Sequence, residues 1–328
     1  TSTWSAFDAL VAAGNYISST EDDFEFAFGT QLAPVNTQHQ DYFNDYTTSG
    51  ANIYQNTWLM QLMMNNNDPR MRYYFYRQTS CTPGAACTYD GNGGEDLQCS
   101  LQAIPTHLQG TACGDIWCFM EDGYWGRMHG NDEGTPPDNF RRTAVGVYPA
   151  AGKFDDDDFS GVSDFATDPL SAGGNGAGIE PIVLASYVDF WRAERAMVAS
   201  QPGTAAGFIQ SGLQKHIAKV QGFIGLDPDA DASFAPSATD VSNYINNIVA
   251  EFNGGSTMDQ WNLLAEQYFT TMYGGGADAH NFYRRTGYPT SVCPNIEANP
   301  GNYPRTLLYP SNEVIANPNF TQRTTNDE

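Results

Sequence analysis

The clearest pattern along the chain is a stripe of apolar residues in two neighbouring segments. Within residues 259–273 the apolar side chains recur at positions i, i+3, i+4, i+7, i+8 and i+11, which places them on one face of a helix. Residues 237–252 repeat this spacing. Each segment opens with S-x-x-D, Ser237 to Asp240 and Ser256 to Asp259, a variant of the capping box. The pattern predicts two amphipathic helices.

A second pair of helices is predicted before these two. Residues 181–199 are apolar almost all round, which indicates a central, buried helix. A short loop with Pro202 and Gly203 joins them to an amphipathic segment over 204–224. Antiparallel helix pairs joined by short turns are typical of helical-repeat proteins of the tetratricopeptide kind, although no sequence period proves repeats.

The rest of the chain is less regular. Turn residues and apolar runs predict helices over 4–13 and 51–64 and strands over 24–28, 72–77 and 143–148. We therefore predict a mostly α fold in which helix pairs accompany large irregular loops and a few short strands. A single domain, 1–328, would comprise a helical start (1–64), a loop-rich region bearing disulfides and the ligand site (65–178), and helical pairs with a C-terminal coil (179–328).

The charge of the chain restricts its partners. The 38 acidic and 15 basic residues give a net charge of −23. Such a field repels phosphate backbones and anionic lipid faces, so we expect no nucleic-acid partner. Neutral sugars, peptides and cations are compatible with it. No run of about 18 apolar residues occurs in the sequence, so none of it is expected to span a bilayer.

The cysteine pattern predicts disulfides. Five of the six cysteines fall within 38 residues that are rich in Gly, Pro, Thr and Asn, and such loops bury little apolar surface. A zinc site is the weaker alternative, because the spacings differ from C-x-x-C. Since short loops close most easily, we expect the pairs Cys81 with Cys87, Cys113 with Cys118, and Cys99 with Cys293.

A glycine-rich loop carries the candidate binding residues. Exposed aromatic rings beside polar side chains suit a sugar site, because the rings stack on pyranose faces while polar groups bind the hydroxyls. Trp117 is the preferred anchor, and its change to Ala is expected to lower affinity about tenfold without unfolding. In the alternative, the rings fill the core and Arg127 and His129 satisfy buried carbonyls. The candidates are Trp117, Tyr124, Trp125, Arg127, His129, Asn131 and Asp132.

Two acidic runs raise the question of calcium. Residues 155–158 are all Asp, and Asp227, Asp229 and Asp231 alternate with other residues. An EF-hand would require Gly at 232 and Glu at 238, where this chain has Ala232 and Ala238. A solvated acidic face explains the runs better, so we expect no cofactor, with Ca²⁺ as the weaker alternative.

An enzyme is the rival interpretation. Glu194 and Glu266 lie on predicted helices and could form a carboxylate pair in a carbohydrate-active enzyme. Glu194 has Arg192 and Arg195 as neighbours, however, and an ion pair explains all three. The sequence contains no G-x-S-x-G, H-E-x-x-H or P-loop motif. We therefore expect binding without catalysis.

Several motifs together resemble one known family. Residues 281–289 read NFYRRTGYP, and a second pattern, P-R-x-x-x-Y-P-x-x-E, follows over 304–313. Four further segments occur in the family's order: NNNDPRMRYYF (65–75), GYWGRMHGNDEGTPPD (123–138), TAVGVYPAAGKFDDD (143–157) and EPIVLASYVDFWRAERAM (180–197). The chain resembles the SusD/RagB-like nutrient-binding outer-membrane lipoproteins. Its matches to the second pattern are Pro304, Arg305, Tyr309, Pro310 and Glu313.

The resemblance implies a function and a location. A member of this family is a lipid-anchored protein on the extracellular face of the outer membrane, where it covers a TonB-dependent transporter and delivers an oligosaccharide or peptide to it. A structural lid without its own ligand is the other alternative. Because this chain starts at Thr1, we expect it to be the C-terminal part of a longer precursor whose lipid anchor and N-terminal helices precede it.

Overall fold

Helices dominate the protein. The computed structural model describes residues 2–31, 54–78, 80, 103–130, 143–159, 173–298 and 307–324. Within these ranges the α-helices are α1 Ser2–Ala12, α2 Thr57–Asn65, α3 Met71–Tyr74, α4 Ala112–Asp115, α5 Ala185–Val198, α6 Pro202–Gly222, α7 Ala238–Gly254, α8 Thr257–Thr271, α9 Gly276–Thr286 and α10 Ser311–Ala316. The strands are β1 Phe24–Ala27, β2 Phe75–Tyr76, β3 Ala144–Val145 and β4 Ile179–Val183. The predicted mostly α fold class is confirmed.

Helices α5 to α8 form the two predicted helix pairs. Helix α7 begins at a full capping box, in which the Ser237 hydroxyl accepts from the Asp240 N–H at 3.2 Å and the Asp240 carboxylate accepts from the Ser237 N–H at 2.9 Å. Ser256 and Asp259 repeat the arrangement at α8. Helix α5 packs along α6, and both contact α8. None of the helices in the described ranges is long and apolar enough to cross a membrane.

One predicted helix begins later than its apolar pattern suggested. Ile179–Val183 is strand β4, which pairs antiparallel with β1, and α5 starts only at Ala185. A short apolar run does not by itself distinguish a strand from a buried helix. Alternating burial and Pro181, which lacks an N–H, suit a short strand at the edge of a two-stranded sheet. The Asp23 carboxylate accepts from the Ala185 N–H at 2.7 Å where the strand gives way to the helix.

The middle of the chain is held by a small sheet. Strands β2 and β3 pair antiparallel, with Phe75 opposite Val145 and Tyr76 opposite Ala144. Both are shorter than predicted, because residues 71–74 form the helical turn α3. The C-terminal segment likewise differs from the predicted coil, because Ser311–Ala316 is the short helix α10.

Two apolar cores meet at helix α8. In the helical core Phe190 stacks on Tyr268 with ring centroids 5.3 Å apart. In the other core Trp58 of α2 meets Phe269 edge to face, also at 5.3 Å. Phe269 packs against both cores, so the loop-rich region is joined to the helix pairs by continuous apolar contact.

A buried polar cluster joins the same two parts. Arg70 is fully buried and donates to both carboxylate oxygens of Asp68, at 2.9 and 2.5 Å. It also donates to Thr271 Oγ1 at 3.0 Å, and the Tyr244 hydroxyl donates to Asp68 Oδ2 at 2.7 Å. Because a buried charge is tolerated only when it is paired and hydrogen-bonded, the Asp-Pro-Arg turn is held by α7 and α8.

The disulfides differ from the predicted pairs. Cys113 is bonded to Cys293, 180 positions along the chain. The expected pairs Cys113 with Cys118 and Cys99 with Cys293 are therefore wrong. Cys118 is also disulfide-bonded, to a partner outside the described residues. The entropy cost of loop closure grows only slowly with length, so the fold, and not sequence proximity, decides the partner. Cys81, Cys87 and Cys99 lie outside the described residues.

Candidate ligand-binding cleft

The tryptophans of the predicted binding loop are buried. Trp117 is only 4% exposed and Trp125 is fully buried, and both belong to the core around α2. The Trp117 carbonyl accepts from the Met128 N–H at 3.2 Å, and the Trp125 N–H donates to the Thr143 hydroxyl at 2.9 Å. The expected exposure of these rings is wrong, because they fill the core beneath the loop. Their burial favours the alternative in which they hold the loop in place.

The other candidates have different surroundings. The Arg127 guanidinium donates to the Gly126 carbonyl at 3.3 Å and lies over the Tyr54 ring at 4.4 Å. Burial lowers the pKa of His129 despite an opposing hydrogen bond with the backbone of Cys293. Asn131 and Asp132 lie outside the described residues. Tyr124 is also mostly buried, but it lines an open cleft.

This cleft is the candidate functional site. It has a volume of about 750 Å³ and lies where the end of α2, the following Asp-Pro-Arg turn, the Glu121–Gly123 turn and the start of α7 meet. That volume falls within the range of small-molecule sites. The lining residues are Met63, Met64, Asn67, Asp68, Pro69, Met71, Arg72, Arg77, Ser80, Asp122, Tyr124, Asp157, Pro236 and Asp240.

Paired arginines form one wall of the cleft. Arg77 binds the buried Asp155 carboxylate through two hydrogen bonds of 2.7 and 2.9 Å. Arg72 binds Asp157 through two more, of 3.0 and 3.2 Å, and Arg77 also contacts Asp157. Burial alone would raise the pKa of Asp157, but the Arg72 hydrogen bond and the charge of Arg77 lower it. Burial raises the pKa of Tyr124, and the charge of Asp155 adds to this shift. Its hydroxyl is therefore neutral near pH 7.

The cleft is also lined by polar side chains that have no partner among the described residues. Among the described contacts, the side chains of Asn67, Ser80 and Asp122 make no hydrogen bond or ion pair, and all three are exposed. Asn67 and Asp122 have left-handed backbones, with φ of 51° and 61°. Asn and Asp tolerate this conformation better than most residues, so the turns present their side chains at modest cost. The Asn-rich run and the Asp-Gly pair signalled turns in the sequence but did not reveal a shared cleft.

The acidic runs lie side by side, and most of their carboxylates already have partners. Asp155 and Asp157 bind the two arginines, while Asp227 accepts from the Phe154 N–H at 2.8 Å and Asp156 accepts from the Asp231 N–H at 3.0 Å. Within the described part of the chain, no group of three or more His, Cys, Asp or Glu side chains is arranged to hold a metal ion.

The suggested carboxylate pair has other partners. Glu194 accepts from Arg285 of α9, with one of the two hydrogen bonds at 2.9 Å. Its expected pairing with Arg192 and Arg195 is wrong, because those arginines bind Asp189 and Asp8 instead. Glu266 accepts from the Ser291 hydroxyl at 2.5 Å, and burial raises its pKa. Arg285 therefore binds a carboxylate near the C-terminal end of its helix, where a cation also suits the helix dipole.

Comparison with solved structures identifies the fold. No family model matches the sequence, and no curated protein matches it. A SusD homologue from Bacteroides fragilis NCTC 9343 aligns over 95% of this chain with a TM-score of 0.53 and 14% identity. The fold is SusD-like. A Bacteroidetes SusD-like protein aligns over 95% of this chain with a TM-score of 0.53 and 17% identity. A second SusD homologue from B. fragilis aligns over 92% of this chain with a TM-score of 0.50 and 15% identity.

The SusD-like fold confirms what the motifs predicted at the level of architecture. The chain spans only 55%, 60% and 52% of the lengths of these three structures. At such low sequence identity the likeness concerns the fold, and ligand and partner do not follow from it.

Proposed function

We propose that this chain binds an oligosaccharide in the cleft between α2 and α7 and performs no chemistry on it. The observation that carries the proposal is the cleft itself, which combines apolar side chains with polar groups that have no partner in the described part of the chain, within a SusD-like fold. Sugars present both apolar and polar surfaces to a protein. Their C–H faces suit Met64, Pro69 and Pro236, while their hydroxyls suit Asn67 and Asp122.

The affinity of such a site is expected to be modest. The cleft is open, and few of its hydrogen-bonding groups are free, so the contacts must first offset the lost freedom of the ligand. We expect dissociation constants on the order of micromolar to millimolar. Tight binding would require a more enclosed site with more desolvated anchors.

The family resemblance is the basis for a proposed cellular role. We propose that the full-length protein is a lipid-anchored protein on the extracellular face of the outer membrane, and that it delivers its ligand to a TonB-dependent transporter. The SusD-like fold supports this role. Isolation of the full-length protein from outer membranes in mild detergent tests it, because a transporter should co-purify and protease should reach the protein on intact cells.

A screen of the purified chain against an array of oligosaccharides and peptides tests the binding proposal. Reproducible binding of one or more oligosaccharides, recovered unchanged, is the expected result. Hits confined to peptides would make the ligand a peptide. Hydrolysis of a bound oligosaccharide would support the carbohydrate-active enzyme, and the absence of any hit would leave a structural lid without its own ligand.

A further inference from the structure

The cleft also carries information about the charge of its ligand. Among the described residues that line it, the cations are Arg72 and Arg77, and a site for an acidic sugar would need such a guanidinium free to bind a carboxylate or sulfate. Arg77 is almost fully buried and bound by both oxygens of Asp155. Arg72 is engaged by both oxygens of Asp157 and by the Asp155 carbonyl, at 2.9 Å. Both cations are therefore already neutralised.

The remaining charges in the cleft are negative. Asp68 is balanced by the buried Arg70. Within the described part of the chain the carboxylates of Asp122 and Asp240 form no ion pair, although Arg77 donates to the Asp122 carbonyl at 3.0 Å. Asp240 binds only its own Ser237 cap. An incoming carboxylate or sulfate would meet two uncompensated carboxylates on a chain whose net charge is −23. Like charges at such short range are unfavourable even when water screens them.

We propose that the cleft selects neutral oligosaccharides and rejects uronate-bearing or sulfated ones. This inference rests on the proposed oligosaccharide-binding function and adds the substrate class. Asp157 sets the preference, since its carboxylate occupies the position on Arg72 and Arg77 that a ligand anion would need. Its side chain is 36% exposed and lines the cleft together with both arginines. The free groups Asn67, Ser80 and Asp122 are suited to hydroxyls, which both donate and accept.

The test compares matched ligands. Hexamers of β-glucan, α-glucan, mannan, galactan and xylan are each titrated in neutral form and in a form carrying uronate or sulfate groups. For every type of glycan that binds, the neutral form should bind at least tenfold more tightly than the acidic form at low salt. The ratio should shrink as the salt concentration rises, because screening weakens repulsion between exposed charges.

A substitution tests the role of Asp157. Asp157→Asn keeps a residue that tolerates the left-handed backbone, φ 62°, and removes the carboxylate from the two arginines. It should raise affinity for the acidic hexamers at least tenfold. Asp22→Asn removes the same charge at an exposed position away from the cleft and should change that affinity less than twofold. Thermal melting of both variants checks that they are folded.

The outcomes separate this inference from the proposed function. Equal or tighter binding of the acidic forms by the wild type would overturn the charge preference while leaving oligosaccharide binding intact. The charge preference would also be overturned, and oligosaccharide binding left intact, if Asp157→Asn folds but gains no affinity for acidic hexamers. Failure of every hexamer to bind would instead remove the proposed function and the inference with it. If Asp157→Asn does not fold, the neutral-to-acidic ratio of the wild type and its salt dependence decide.

Discussion

The guanidinium of Arg70 and the ring of His216 are in contact inside the protein, with Nη1 3.3 Å from Nδ1 across 146 positions of sequence. A guanidinium has only donors, so His216 Nδ1 must accept and the proton of the neutral ring is on Nε2. That nitrogen lies 3.4 Å from the Tyr148 hydroxyl. The pair fixes the tautomer of a buried histidine and joins α6 to the Asp-Pro-Arg turn beside the cleft.

The first prediction concerns the pH dependence of stability. Burial, followed by the charge of Arg70, lowers the pKa of His216 well below 6.5. Below about pH 6.5 the unfolded state therefore takes up a proton that the folded state does not, and stability falls as the pH falls. His216 alone should lower the free energy of unfolding by up to roughly 1.4 kcal/mol for each unit by which the pH falls. Denaturant unfolding between pH 5 and 8 should show a shallower decline for His216→Gln than for the wild type. Parallel curves would contradict the assignment.

The second prediction concerns the ion pair between α5 and α9. The side chain of Glu194 is 4% exposed, so Arg285→Ala would leave a buried carboxylate without its partner. We expect a loss of about 1–3 kcal/mol in the free energy of unfolding. Arg284→Ala, at the exposed neighbouring position, should cost less than about 1 kcal/mol. Adding Glu194→Gln to Arg285→Ala removes the orphaned charge and should recover part of the loss. Equal costs for the two arginine variants would show that the pair is not structural.

The third prediction is a count of thiols. Cys113, Cys293 and Cys118 are disulfide-bonded, and Cys118 requires one further cysteine, so at most two of the six can be free. A thiol reagent added to the unfolded, unreduced protein should find two or fewer, and three or more would contradict the structure. Because the Cys113–Cys293 bond closes a long loop, changing both residues to Ser should destabilise the protein by up to about 5 kcal/mol.

The fourth prediction concerns Trp117. Since its ring is buried, Trp117→Ala should act on stability, with a cost of about 3–5 kcal/mol, through the cavity that it leaves. Affinity for oligosaccharides should be unchanged in the fraction that is folded. A variant of normal stability and at least tenfold weaker affinity would restore Trp117 as the anchor of the site.

Local signals predicted the local structure well. The two capping boxes and the helices that follow them depend on residues three or four positions apart, and so does the end of α9 at Gly287, whose φ is 73°. Strand β4 was missed because an apolar run has no period that separates it from a buried helix.

Long-range pairings could not be read from the sequence. The partners of Cys293 and Glu194, and the partner Thr271 of Arg70, lie 91 or more positions away, and only the packed fold brings them together. The cleft has the same origin. Tyr124 came from the predicted loop, whereas Asn67 comes from a segment noted only for its resemblance to a family and Asp157 from an acidic run considered for calcium.

The fifth prediction uses glycine as a probe of the cleft. Asn67 and Asp122 both have left-handed backbones, which glycine adopts without strain, so Asn67→Gly and Asp122→Gly remove the side chains while retaining the turns. Ser200→Gly makes the same kind of change at an exposed left-handed position, φ 59°, in the turn between α5 and α6. It serves as the matched control.

Calorimetric titration of these variants with a neutral oligosaccharide from the screen tests the central claim most directly. The double variant Asn67→Gly/Asp122→Gly should bind at least tenfold more weakly than the wild type, while Ser200→Gly should bind equally well and the recovered oligosaccharide should be intact. Equal affinities for the wild type and the double variant would place the site elsewhere, and cleavage of the sugar by the wild type would contradict binding without chemistry.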